Sequence, residues 1–293
     1  MHNKKHFTLK KLVLALAIAG YSMSSAYAVL TAPTGTVQGR VPVLVSPSDN
    51  SKEHAVDISG TFATTGKLAT GDTITLIYKY TDSDGDNDAS TTRVTWYYVK
   101  GGTESEIATS NVVNTNASIV GGNGTSVLTV PGAALGAEAI KVVIQEYSAS
   151  GDPRTGETIT VADVSNNSTG GETTVPPGTV EPGTNVVPGI YLSTDTAFAN
   201  NLIGSSAKLD VGNTYVFKLW DGAAVGTTDL TSSVSYNWRL VGTSATDNIT
   251  APAAGFATPA TDANFTVPVN AAGTAITGSV DGVQGFNLAV DYN

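Results

Sequence analysis

The sequence contains no cysteine, and its other shortages say as much. In 293 residues there are three histidines, two methionines, and 15 Lys and Arg against 25 Asp and Glu. Without a thiol, disulfide staples, thiol nucleophiles, Fe–S clusters and thioether-linked haem are excluded. Any folded part must therefore rest on its apolar core. Long apolar runs are missing too. The run at residues 12–20 falls short of the roughly 20 residues a spanning helix needs, and nothing later is more apolar, so no membrane span is expected.

That short run reads instead as the centre of a secretory signal peptide over residues 1–28. Lys4, Lys5, Lys10 and Lys11 precede it, and Ala26, Tyr27 and Ala28 supply the small-x-small cleavage pattern. The mature chain is expected to start at Val29, exported through the inner membrane to the periplasm, cell surface or medium. It keeps eleven Lys and Arg against 25 Asp and Glu, a net charge of −14. That charge disfavours nucleic acid and acidic membrane surfaces, which need cations to displace counterions. His54 is the only histidine left. It would be the sole base for a Ser-His-Asp site, and one histidine is too few for an ordinary zinc site. A glycosidase needs only two carboxylates, but no pocket-forming constellation stands out. The expectation is a non-enzymatic protein.

What is present is strand and turn chemistry. Thr, Val, Ser, Gly and Asn recur, and apolar residues alternate with polar ones. Residues 73–80 carry Ile74, Leu76, Tyr78 and Tyr80 on one face, and residues 93–98 carry Val94, Trp96 and Tyr98. Similar strands are expected at 126–130, 140–147, 157–163, 215–219, 234–240, 264–267, 275–280 and 285–291, with an edge strand within 41–45. Residues 165–188 differ: four prolines, four glycines and no aromatic. That composition predicts a flexible, exposed linker.

The parts on either side of the linker repeat each other. Lys67-Leu68-Ala69-Thr70-Gly71-Asp72-Thr73 matches Lys208-Leu209-Asp210-Val211-Gly212-Asn213-Thr214, Trp96 matches Trp238, and Thr129-Val130-Pro131 matches Thr266-Val267-Pro268. Gly71 and Gly212 should supply positive φ in matched turns. The pattern predicts an all-β protein of two tandem immunoglobulin-like β-sandwiches, each around a tryptophan. An N-terminal extended segment at 29–50 precedes domain 1 at 51–165, and the linker at 166–188 leads to domain 2 at 189–293.

Gly71-Asp72-Thr73 opening an apolar strand, then Tyr80-x-Asp82-x-Asp84-Gly85-Asp86, then Trp96-Tyr97, resembles the bacterial Ig-like modules of the intimin/invasin family. The likeness covers about 30 residues of the first repeat; the second keeps its glycine, aromatic strand and Trp238 but has no acidic loop. Such modules sit beyond an outer-membrane barrel, which this chain does not carry. Its size and architecture are similar to those of the exported partner proteins of the Zir-type secretion set of enteric bacteria, served by an intimin/invasin-type translocator. The resemblance implies an exported protein of a Gram-negative bacterium. Its partners would be a companion secreted protein, the outer-membrane translocator or a host-surface protein, through which it would modulate adhesion and host interaction.

Three places are candidate sites. Asp82, Asp84 and Asp86 could ligate Ca²⁺ through hard oxygens, although the EF-hand spacing fails because Asn87 and Arg93 stand where Gly and Glu belong. The alternative is a solvated turn. Trp220 falls out of phase with Tyr215, Phe217 and Leu219, so it should face outward and, with Asp221, anchor an interface. Exposed in this way, it would also serve a carbohydrate-binding or accessory module, the competing function. Arg154 should tip the loop between the last two strands of domain 1, where such folds carry recognition. His54 reads as a solvated loop residue, and Trp96 and Trp238 as core.

Overall fold

Alternating apolar and polar side chains put the backbone into strands almost throughout. A computed structural model of the protein describes residues 30–222 and 228–293; the expected signal peptide, 1–28, lies outside the described residues. Residues 30–37 belong to a unit of their own, exposed and without regular structure. Residues 38–293 form the second unit, and its two halves are built alike.

The first half contains β1 (Val43–Val45), β2 (Asp57–Thr61), β3 (Thr73–Thr81), β4 (Val94–Lys100), β5 (Thr103–Glu106), β6 (Val112–Thr115), β7 (Asn123–Thr129), β8 (Ala139–Tyr147) and β9 (Thr155–Val161). One antiparallel sheet runs β1-β3-β7-β6, with β2 also pairing β3; the other runs β5-β4-β8-β9. Their facing sides interleave Ile74, Leu76, Tyr78 and Tyr80 with Trp96, Ile140, Val142 and Ile144 in one buried cluster. Each such side chain stabilises the fold by about 1.5–3 kcal/mol through burial. Trp96 is 1% exposed and donates Nε1–H to Ser126 Oγ at 2.9 Å. β1 is the expected edge strand, but Leu44 is fully buried in this core, so domain 1 begins before residue 51.

The second half contains β10 (Val186–Leu192), β11 (Thr214–Asp221), β12 (Tyr236–Gly242), β13 (Phe256–Thr261), β14 (Phe265–Thr266), helix α1 (Asn270–Thr277) and β15 (Phe286–Tyr292). Its sheets run β10-β11-β14 and β13-β12-β15. Trp238 is fully buried and donates to the Ala263 carbonyl at 2.7 Å. The repeat is visible in detail. Gly71 and Gly212 have φ of 90° and 88°, as expected. Gly71 N–H donates to Val130 O at 2.8 Å and Gly212 N–H to Val267 O at 2.9 Å. Trp96 pairs with Val142 across β4 and β8, and Trp238 with Val290 across β12 and β15.

Two expectations are corrected here. Residues 275–280 are not a strand: most fall in α1 or its cap. Ala271, Ala272 and Ala275 favour helix, and Gly278, at φ 75°, ends it with its N–H bonded to Thr274 O. Nor is 166–188 a free linker. Its N–H and C=O groups bond to the first half: Ile58 N–H to Glu172 O, Thr174 N–H to Ile58 O, and Thr70 N–H to Glu181 O. Val175 and Val180 enter the first core, and β10 already starts at Val186. Val175, Val180 and Val186 are anchors that the Pro and Gly content hides. Leu135, which follows the 3₁₀ turn Gly132–Ala134, is 1% exposed within the second core, so one half supplies a core residue to the other. Among the described residues no helix is long and apolar enough to cross a membrane.

Candidate functional site

The acidic loop leaves β3 with its first carboxylate turned inward. Asp82 is buried; its Oδ1 accepts the backbone N–H groups of Asp84 at 2.8 Å, Gly85 at 3.0 Å and Asp86 at 3.3 Å. This is the local Asp-to-backbone bonding that makes turns. Asp88 is buried as well. It accepts Tyr78 O–H at 2.6 Å, Ala117 N–H at 2.7 Å and Ser90 N–H at 2.8 Å. Burial, followed by the Asp88 charge, pushes the Tyr78 hydroxyl well above its usual pKa, so it remains a donor.

Asp82, Asp84 and Asp86 each place an oxygen within 4.8 Å of the others, so these three could hold one cation. All three also have protein donors. Arg40 N–H donates to Asp84 Oδ2 and Ser150 O–H to Asp86 Oδ1. The arrangement ties together the loop, the segment entering β1 and the turn after β8.

That turn carries Arg154, so two of the three candidate places are one. Ala149 N–H donates to Asn87 O at 2.7 Å, and Gly39 N–H to Asp152 O at 2.8 Å. Arg154 is exposed, and its side chain is tied back to the strand. Its Nε–H donates to Ser148 O at 3.1 Å, and its guanidinium stands 4.7 Å from the Tyr147 ring centroid. Arg93 lies at the same distance from that ring, and its hydrogen bond is the main cause of the lowered Tyr147 pKa. Cation–π attraction of this kind draws an Arg down onto the strand.

Trp220 and Asp221 lie elsewhere, and the outward placement of Trp220 is corrected. Trp220 is 5% exposed. Its Nε1–H donates to Tyr191 O–H at 3.1 Å, and its ring lies 5.6 Å from that of Phe198. The face opposite the core is covered by the chain that follows β10, a long-range event that strand phase cannot register. A buried indole offers no platform for a sugar, and no aromatic is among the large exposed hydrophobics of the described residues. Asp221 packs against Gly132 of the first half, and Gly222 N–H donates to Asn185 O at 2.9 Å. These residues belong to the junction between the halves.

One cluster is not expected from the sequence, in which His54 reads as a solvated loop residue. His54, at φ 55°, places Nδ1 2.9 Å from Glu146 Oε1 and 3.8 Å from Glu157. Glu146 is fully buried at the inward end of β8 and accepts N–H from Leu44 and Glu157, each at 2.8 Å. Burial is the largest influence on Glu146 and raises its pKa. Burial pulls His54 down, but the Glu146 hydrogen bond and the charges of Glu146, Glu157 and Glu53 outweigh it, and the net shift is upward. The available signal was the position of Glu146, in phase with Ile140, Val142 and Ile144.

No family model matches the sequence, and no curated protein matches it.

Proposed function

We propose that this is an exported, non-enzymatic interaction protein whose two immunoglobulin-like modules bind a companion secreted protein, the translocator that carries them, or a host-surface protein. The first half supports the immunoglobulin-like reading through its strand order: β1/β2-β3-β7-β6 faces β5-β4-β8-β9. This matches the two-sheet arrangement of such folds, in which the third strand carries the buried tryptophan.

The observation that carries the proposal is the repetition of one frame, Gly71 with Trp96 and Gly212 with Trp238, in halves joined by Leu135 and the docked segment 166–188. Two halves docked in one unit present their loops and edges together. The signal sequence expected at 1–28 supports export, and the acidic charge expected of the mature chain disfavours nucleic acid as the partner.

The test is affinity capture with the full mature chain from the envelope and medium of the exporting cell. Recovery of an exported β-sandwich protein or an intimin/invasin-type barrel is the expected result. A chain that stays inside the inner membrane, or one that captures nothing exported, overturns the reading.

A further inference from the structure

β8 and β15 hold the same place in their halves, each antiparallel to the strand that buries the tryptophan. They differ on the outer edge. β8 is flanked by β9, whose Ile159 and Val161 complete the first core. Beyond β15 no strand pairs among the described residues. The consequence is visible in the inward side chains. Ile140, Val142 and Ile144 are buried, whereas Leu288, Val290 and Tyr292, opposite the corresponding residues of β12, are only half-buried. They line an open groove of about 1020 Å³ with Ile190, Leu202 and Phe286. The second sandwich is one strand short.

The backbone of that edge is ready to pair. Ser235 and Asn293 exchange both N–H···O bonds, at 3.1 Å each. Antiparallel ladders alternate, so Asn287, Ala289 and Asp291 turn their polar groups toward β12. Leu288, Val290 and Tyr292 therefore point theirs outward. The sequence of this strand, Phe286-Asn287-Leu288-Ala289-Val290-Asp291-Tyr292, reads the same in both directions by chemical class.

We infer that a second copy of this chain completes the sandwich, β15 pairing antiparallel with its own copy about a two-fold axis at Ala289. This register sets Leu288 opposite Val290, Phe286 opposite Tyr292, and Asn287 opposite Asp291, so the inner faces continue one apolar surface and no like charges meet. It also makes Leu288–Val290 a hydrogen-bonded pair and sets Tyr292 N–H against Phe286 O, the parity that the outward groups require; Phe286 N–H itself stays with Val283 O at 3.3 Å. A symmetric edge of this kind closes as a dimer and removes the open ladder. The inference does not depend on which companion the protein binds.

Because the chain has no cysteine, an introduced thiol is unique. Ala289→Cys in the full mature chain places two thiols at a non-hydrogen-bonded pair, with Cα atoms about 4.5 Å apart, within disulfide reach. Mild oxidation should give a disulfide-linked dimer from native protein and not from protein in denaturant. Asn287→Cys alone should give none, while mixing it with Asp291→Cys should. For unmodified protein, sedimentation should show a concentration-dependent dimer. Asn287→Asp, facing Asp291 twice across the axis, should weaken it several-fold, and Asn287→Lys should strengthen it. All three positions lie on the outer face, away from the core. Monomer at every concentration, equal cross-linking through Asn287→Cys alone, or a dimer indifferent to both charge changes overturns the inference.

Discussion

His54 Nδ1 lies 2.9 Å from Oε1 of Glu146, a carboxylate with no exposed surface at the end of a core strand. Both groups have pKa values raised in the fold, so both bind protons more tightly there than in the unfolded chain. The contribution of His54 is fully present below the ordinary histidine value of about 6.5 and is lost as pH rises through the raised folded value. Glu146 acts in the same direction from its own ordinary value upward. Melting temperature should therefore fall as pH is raised from weakly acidic to weakly basic, and His54→Gln should flatten the profile above about pH 6.5. A flat wild-type profile would contradict the coupling.

Glu146→Ala removes the acceptor for Leu44 and Glu157 N–H as well as the histidine contact. An orphaned buried donor costs about 1–3 kcal/mol, so a loss of roughly 3 kcal/mol or more in denaturant unfolding is expected.

The aspartates of the acidic loop should separate by burial. Asp88→Ala strips three donors of their acceptor and should cost on the order of 3 kcal/mol or more. Asp84→Ala, at an exposed side chain, should stay within about 0.5 kcal/mol. Equal costs would mean that the loop is not held from its buried end.

Trp220→Ala should destabilise by about 3–5 kcal/mol, as expected for a large buried aromatic. Tyr191→Phe keeps the ring but leaves the indole N–H without its 3.1 Å acceptor, for about 1–3 kcal/mol. Thermal melts of the two variants distinguish a packed indole from a surface one, whose removal would change little.

Docking of 166–188 is tested by the paired glycines. Both sit near φ 90°, and an added Cβ costs about 1–2 kcal/mol in the left-handed region. At Gly71 that Cβ would also lie 2.5 Å from Thr184 Oγ1, while at Gly212 it meets open space. Gly71→Ala should therefore be the more destabilising of the two, and limited proteolysis should spare residues 166–185 in the wild type. Equal costs together with early cleavage there would restore a free linker.

Period-two patterns were enough to place β3, β4, β7, β8, β11, β12 and β15, because one buried face imposes alternation on any half-exposed strand. The weakly patterned strands β2, β5, β6 and β13 were not legible: they are short or carry few apolar residues. The helix after β14 was signalled by its alanines and Gly278, but the repeat argued for a strand there, and local propensity prevailed. Of the candidate places, the acidic loop and Arg154 could each be named from sequence, but not their union, since 64 positions separate Ser150 from Asp86.

The sequence by itself determined the all-β class, the repeated glycine turns and the two tryptophan-centred cores, because these depend on backbone conformation and on which face of a strand is apolar. Only the tertiary structure decided that Trp220 is covered, that a Pro- and Gly-rich stretch is docked, that His54 meets Glu146, and that the edge of β15 stands open. Each of these depends on what another part of the chain brings to the spot, and a local pattern carries no record of that.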